Sequence, residues 1–437
     1  MIVCKFGGSS LADAGQFKKV HDIVKANPDR HYVVPSAPGR RFANDEKVTD
    51  LLYSCQRAAS AGADFSGILL RVQERYDAII RDLGLKLSLS REFDSIARQI
   101  RDGAGSEYCA SRGEYLNGIL LAAYLGFDFV DAADVVRFDK NGLLMEDETL
   151  RLLSEELKNH TRAVIPGFYG AESDGTVRTF SRGGSDISGA LVASSVNADV
   201  YENWTDVPGF CIADPRIVTD AKYISSITYK ELRELSYMGA TVLHEDAVFP
   251  VRKCGIPTNI RSTNDPQHPG TMISVSAGLD SVQHTITGIA GQKGFSIVHI
   301  EKDMMNSELG FGRRVLQAFE EYAVNFEHLP TGIDTMSVVV RESELNRHRD
   351  EVIARIEELV HPDQINVADN IALIATVGRG MVRMFGTAAR LFTAISSRGI
   401  SIRTIDQGSS EISIIVGVDA ADFNSAIEAI YDAFVRT

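Results

Sequence analysis

"IVCKFGGSS", residues 2–10, decides the fold class. Its first half is a β-favouring run, and Gly7 and Gly8 end that run in a small-residue loop. Phe17, Val20, Ile23 and Val24 then recur at helical spacing, so the stretch reads strand, loop, helix. The same alternation continues outward. "YVV" (32–34) is a strand, about 45 to 125 is a long helical region, and "FVDAADVV" (129–136) and "AVIPGFYG" (163–170) are strand-like. A helix near 185–197 precedes a strand in "DVYENWTD" (199–206). Strands separated by helices predict a largely parallel sheet covered on both faces, a three-layer αβα arrangement. In such sheets ligands bind at the carboxyl ends of strands. "KFGGSS" (5–10), "VVPSAPG" (33–39) and "RTFSRGGSDISG" (178–189) all follow or adjoin strand-like runs and are expected to converge on one site.

The 437 residues allow two to four domains. A hydrophobic share of 44% with 24% charged residues is that of a soluble globular protein. A net charge of −14 argues against a nucleic-acid or anionic-membrane partner. No apolar run reaches the roughly 18 residues of a membrane span, and no signal peptide is visible, so a cytoplasmic protein is expected. Cys4, Cys55, Cys109, Cys211 and Cys254 are scattered without a CxxC pair and read as buried free thiols.

Beyond about residue 283 the elements shorten and the chain repeats. Val315–Val340 aligns without a gap on Leu391–Val416, an offset of 76 residues. Each copy reads β-α-β-β-α, and two copies are too few for a solenoid. They are expected to form a binding module appended to an enzyme. Met381, Met384, Phe385, Ala388, Leu391, Phe392 and Ile395 trace one helical stripe, expected as a core face.

The loop residues carry recognisable chemistry. Gly7 and Gly8 let backbone amides approach an anion, and Lys5 adds a point charge for phosphate; a plain tight turn fits Gly-Gly equally. No Walker-type P-loop is present. Arg182 can fork onto a carboxylate or phosphate, while Ser185 and Asp186 are also able to cap the helix that follows. Glu114, in "SRGEYLNG" (111–118), reads as lying near a helix start, as a dipole carboxylate or a ligand group. Thr205, Asp206, Asp214 and Arg216 suit a nucleotide's ribose and phosphate edge, or a turn. Lys5, Arg182 and Arg216 want anionic centres, whereas Glu114 and Asp186 want a cation. An amino acid together with Mg-ATP supplies all of them, and phosphoryl transfer needs mainly positioning and charge neutralisation. No metal-ligand spacing stands out, and His244 and His268 are expected to be structural.

At this point the motifs resemble a known family. KFGGSS (5–10), VVPSAPG (33–39), VTDLL (48–52), SRGEYLNG (111–118), PGFYG (166–170), SRGGSDISGA (181–190), WTDVPGF (204–210), ADPR (213–216) and MGATVLH (238–244) resemble, in order, those of aspartate kinases in the amino-acid kinase superfamily. The tail resembles their paired ACT domains. The resemblance implies an amino-acid-kinase domain over 1–280, a first ferredoxin-like βαββαβ ACT domain over 291–369, and a second built from 284–290 plus 370–437, the two interlocked. It implies transfer of phosphate from ATP to the side-chain carboxylate of L-aspartate, with Mg2+ bound through the ATP phosphates. That step opens the route to lysine, threonine and methionine.

By the same resemblance, Lys5 and Asp186 are catalytic. Ser36, Thr49, Glu114, Phe168, Arg182, Ser185 and Asp186 hold aspartate. Lys5, Gly7, Gly8, Ser9, Thr205, Asp206, Cys211, Asp214, Arg216 and Thr241 serve the nucleotide. Pro35, Cys211, Thr241 and Glu245 depart from the family pattern, and Thr241 replaces a nucleotide-side lysine. The ACT pair implies feedback by an end product, lysine or threonine, with lysine preferred. Met304, Ser307, Gly310, Phe311, Asn325, Phe326 and Glu327 are the effector candidates. A homodimer through the ACT domains is implied, with a dimer of dimers as the larger option.

Overall fold

Ile2–Phe6 (β1) lies inside an eight-stranded sheet in the computed structural model, which describes residues 1–181, 183–240, 247, 249–276 and 285–436. Its companions are Arg30–Pro35 (β2), Asp128–Phe129 (β3), Ala163–Val164 (β4), Val200–Thr205 (β7), Ser226–Thr228 (β8), Thr258–Ser262 (β9) and Thr271–Ser274 (β10). Tyr169–Ala171 (β5) and Val177–Thr179 (β6) form a separate hairpin. The sheet order is β3-β4-β2-β1-β7-β9-β10-β8, parallel throughout except between β9 and β10. The described residues fall into two compact units. One comprises Met1–Phe210 with Tyr223–Tyr229 and Val242–Ala277; the other comprises Cys211–Lys222, Lys230–Thr241 and Gly278–Thr437. Among the described residues no helix is long and apolar enough to cross a membrane.

Phe17, Val20, Ile23 and Val24 bury one face of the helix Ala14–Ala26, as their spacing requires. The region 45–125 is four helices, Val48–Ser60, Ser66–Asp82, Ser90–Arg101 and Ser106–Leu125. The run 129–136 is not one strand. Asp131 accepts from the Ala133 amide and caps a short helix at Ala132–Val135, so side-chain capping overrides the β-favouring composition. Cys4, Cys55 and Cys109 are buried, but Cys211 is half-buried and Cys254 exposed. His268 accepts from the Gly270 amide at 3.0 Å and packs edge-on against Tyr223. His244 lies outside the described residues.

Beneath the strand ends sits a buried charge cluster. Glu202 on β7 takes Arg30 Nε at 2.8 Å and Nη2 at 3.0 Å, and Trp204 Nε1 at 2.9 Å. Arg261 adds a contact at 3.4 Å, and both guanidiniums lie over the Trp204 ring. Removing Arg30 would leave Glu202 buried with only the longer Arg261 contact and the Trp204 donor. Arg30→Met is therefore expected to cost about 3 kcal/mol, read as a lower midpoint in denaturant melts. A change below about 1 kcal/mol would contradict this.

In the second unit the repeat is longer than the aligned stretch. Gly288–Glu301 (β11) and Gln364–Val377 (β14) are 76 residues apart at both ends, as are the helices Phe311–Glu321 and Thr387–Ser397. With Phe326–His328 (β12), Thr335–Arg341 (β13), Ile402–Asp406 (β15) and Ser413–Asp419 (β16), they form one antiparallel sheet ordered β12-β13-β11-β14-β16-β15. Both long strands turn at matching positions with positive φ, Gly294 at 91° and Asn370 at 57°. The early part of β11 pairs with the late part of β14, which also pairs with β16. The late part of β11 pairs with β13 and with the early part of β14. β11 and β14 are thus each shared by both repeats of the one six-stranded sheet.

The expected stripe 381–395 is corrected. Gly386, with φ of 79°, starts the helix at Thr387 and breaks the periodicity. Leu391 and Ile395 are buried, but Met384 and Phe385 stand exposed ahead of the helix.

Candidate active site

β1 ends on Lys5 and Phe6, and its parallel register places Lys5 beside Asn203 of β7. Lys5 is 8% exposed, and its Nζ lies 2.6 Å from Asp186 Oδ1. Asn203 Nδ2 donates to the same oxygen at 2.8 Å, and Tyr201 Oη donates to the Asp186 carbonyl at 3.1 Å. Asp186 is therefore not a helix cap. The cap of Gly184–Ser195 is Gly183, with φ of 58°, and Asp186 points at the cation of β1. A carboxylate so fixed holds the lysine at the carboxyl end of the central strand, where parallel sheets place ligands.

Two of the three small-residue loops meet at their glycines. Gly39 N donates to Gly8 O at 2.8 Å, and a Cβ on Gly8 would come within 2.8 Å of Ala37 O. Both backbones approach too closely for a side chain. Asn117 Nδ2 ties the second loop to the long helix by donating to Ser36 O at 2.6 Å. The third loop packs differently. Phe168, with φ of 77°, donates its amide to Ser188 Oγ at 3.0 Å, and Gly167 lies against Ser185.

Beside the first two loops opens a cavity of about 670 Å³. Gly8, Ser9 and Asp206 from the nucleotide candidates share its wall with Ser36, Thr49 and Glu114 from the aspartate candidates. Glu114 lies in the middle of the helix Ser106–Leu125, not near its start, so it is no helix-dipole carboxylate. It is 5% exposed, and its Oε2 has no hydrogen-bond partner. Burial pushes its carboxyl up to about 8, with the Ala37 backbone amide opposing that rise. A buried acid with an unsatisfied oxygen at a cavity wall fits a ligand cation.

Thr205 Oγ1 donates to Asp206 at 3.1 Å, and Gly7 N donates to Trp204 O at 3.0 Å. Cys211, Asp214 and Arg216 belong to the second unit, where Arg216 forks onto Asp214 at 2.6 Å. Arg182 and Thr241 lie outside the described residues. Asn203, Tyr201 and Asn117 escaped the sequence reading; the strand register opposite Lys5 is the signal that would have found Asn203. Among the described residues no group of three or more His, Cys, Asp or Glu side chains is placed to hold a metal ion.

The effector candidates lie in the second unit. Met304 (φ 64°) and Gly310 (φ 78°) bound a loop in which Ser307 Oγ donates to Met304 O at 2.8 Å, and Phe311 is buried. Asn325 N donates to Glu344 at 3.0 Å, and Phe326 is exposed. Glu327 is already engaged, by Arg341 Nε at 2.8 Å and by Tyr237 Oη.

Comparison with known proteins agrees with this geometry. Residues 1–262 match the amino acid kinase family and residues 374–434 an ACT domain. The chain is 40% identical to aspartokinase 3 of Bacillus subtilis, covering 99% of this chain and 98% of that one. The crystal structure of Clostridium acetobutylicum aspartate kinase, described as an allosteric enzyme, is 49% identical over 99% of both chains with a TM-score of 0.91. Escherichia coli aspartokinase III shares the fold at 23% identity and a TM-score of 0.73. It was solved with aspartate and ADP, and again with lysine and aspartate, over at least 99% of each chain. With its loops, its Lys5–Asp186 pair and its paired regulatory units, the chain belongs to the amino acid kinase family and, within it, to the aspartokinases, which phosphorylate the side-chain carboxylate of aspartate.

Proposed function

We propose that the cavity lined by Ser36, Thr49 and Glu114 receives L-aspartate and that Lys5 neutralises charge on the phosphoryl group passing to it from ATP. The observation that carries this reading is the buried, unsatisfied Glu114 carboxyl on the wall that also holds Gly8, Ser9 and Asp206. The ammonium of aspartate supplies the missing cation. The nucleophile is the substrate's own carboxylate, ionised at neutral pH, so no protein base is needed. Phe168, Ser185 and Asp186 are assigned to the aspartate side, and Gly7 and Thr205 to the nucleotide side; the roles of Arg182, Cys211, Asp214, Arg216 and Thr241 rest on the family resemblance alone. Mg2+ is proposed to arrive on the ATP phosphates. Lys5 is held by Asp186 and Asn203 before substrate arrives, so the charge needed in the transition state is already oriented.

The regulatory reading is a first ACT domain over 291–369 and a second from 284–290 plus 370–437. Lysine is the effector, bound at Met304–Phe311 and Asn325–Glu327 across a homodimer, in a cytoplasmic enzyme of lysine, threonine and methionine formation. The lysine complex of the Escherichia coli enzyme supports the choice. The Tyr237–Glu327–Arg341 contact gives an effector something to displace.

The test is hydroxamate trapping of the acyl phosphate formed from Mg-ATP and aspartate, with glutamate as control and with lysine or threonine added. Aspartate-dependent hydroxamate, suppressed by lysine, is expected. Inhibition by threonine with none by lysine would overturn the effector assignment.

A further inference from the structure

This inference rests on the reading of the cavity as the amino-acid site. The chain between β2 and the helix Val48–Ser60 is strapped down by one residue far along the sequence. Arg75, on the helix Ser66–Asp82, is 6% exposed. Its guanidinium donates to Gly39 O, to Glu46 O at 2.9 Å and to Ala12 O at 3.3 Å, and it meets Asp45 at 3.2 Å. Arg41 holds the same Asp45 with two side-chain bonds of 2.8 Å and a backbone bond of 3.0 Å. Those contacts, Arg41 first, keep the Asp45 carboxyl well below the usual carboxylate range. One buried arginine thus grips both ends of the loop 39–46.

The clamp decides what faces the cavity. Arg40, Phe42, Ala43 and Lys47 line it with Ser36, Thr49 and Glu114. Arg40 and Lys47 are the cationic side chains on that wall. Neither has an ion-pair partner among the described residues, whereas the neighbouring Arg41 and Arg75 are both committed to Asp45. Glu114 on the same wall lacks a cation. A ligand that satisfies both faces carries an ammonium and a carboxylate a few ångströms apart, which is an amino acid. A planar guanidinium takes a carboxylate through two parallel hydrogen bonds, which an ammonium cannot.

We infer that Arg40, presented by the Arg75-clamped loop, is a specificity-determining residue that pairs with a carboxylate of the aspartate substrate, and that Arg75 is the positioning residue behind it. Lys47 adds charge from the same loop. The competing source of an anionic oxygen is the ATP phosphate, and the two are separated kinetically.

Steady-state kinetics with each substrate varied in turn provide the test, with thermal melts to confirm folding. Arg40→Gln is expected to raise KM for aspartate about tenfold or more, the loss of a contact near 1.4 kcal/mol, with KM for ATP changed less than about twofold. Arg40→Lys recovers only part, because the fork is lost. Arg75→Met raises KM for aspartate in the wild-type background but adds little to Arg40→Gln, since both remove the same contact. A folded Arg40→Gln enzyme with unchanged KM for aspartate overturns the inference. A rise confined to ATP also overturns it and moves Arg40 to the phosphate. Should Arg75→Met fail to fold, Arg40→Gln decides alone. Wild-type turnover that does not depend on aspartate would remove both this inference and the reading beneath it; aspartate-dependent turnover with a silent Arg40→Gln removes this inference only.

Discussion

Lys5→Met is expected to lower kcat by about 10³-fold with KM for aspartate little changed. Phosphoryl transfer leaves the protein little to do but place and neutralise charge, so the loss of a preorganised cation falls on the transition state. Lys5 is nearly buried at the end of β1 and is fixed by Asp186 at 2.6 Å. Its orientation therefore costs nothing at the moment of reaction. The structural alternative is that Lys5 merely neutralises Asp186. Melting curves separate the two. If Lys5 is only a structural partner of Asp186, its loss appears as a lower melting midpoint and the folded Lys5→Met enzyme keeps its kcat; if it acts on the phosphoryl group, a variant that melts like wild type still loses kcat. A kcat for Lys5→Met within about tenfold of wild type would contradict the assignment.

Glu114→Gln is expected to raise KM for aspartate by about 10²-fold, the cost of removing one partner from a buried charged hydrogen bond. The pH dependence gives the sharper readout. Glu114 titrates at about 8 in the fold against an ordinary 4.5, so between those values the native state holds a proton that the unfolded chain has lost. Stability on this account is full below the ordinary value and falls as pH rises toward about 8; Glu114→Gln removes that slope. The substrate ammonium needs the ionised form. KM for aspartate is therefore expected to fall as pH rises from about 6 to about 8, by up to about tenfold per unit, and to be flat in Glu114→Gln. A wild-type KM that does not respond to pH in this window would contradict the role.

Sequence and structure part company where tertiary contacts outweigh local pattern. The strand–loop–helix reading of residues 2–26 holds because its signals are local: a β run, a Gly-Gly stop and a helical apolar stripe. The meeting of the KFGGSS and VVPSAPG loops was legible in their composition, but the reason for Gly39, an abutting Gly8 backbone, was not. Glu114 was visible as a candidate. Its place mid-helix, and the burial beside the Ala37 backbone that raises its carboxyl, depend on tertiary contacts that no short window contains. Arg75 and the Arg30–Glu202 pair were invisible for the same reason: each acts on backbone or charge that is distant in the chain. In the repeat, alignment found the copies. A single left-handed glycine, Gly386, then redirected Met384 and Phe385 from an expected core face to the surface.

Calorimetric titration of aspartate at pH 7, in buffers of different ionisation enthalpy, tests most directly whether the cavity at Glu114 is the amino-acid site. Free Glu114 is mostly protonated at that pH and must ionise to meet the ammonium. Wild type is expected to release about one proton per aspartate bound, and Glu114→Gln none. The same proton count in both proteins, or tight binding by Glu114→Gln with no release in either, would contradict the account and place aspartate elsewhere.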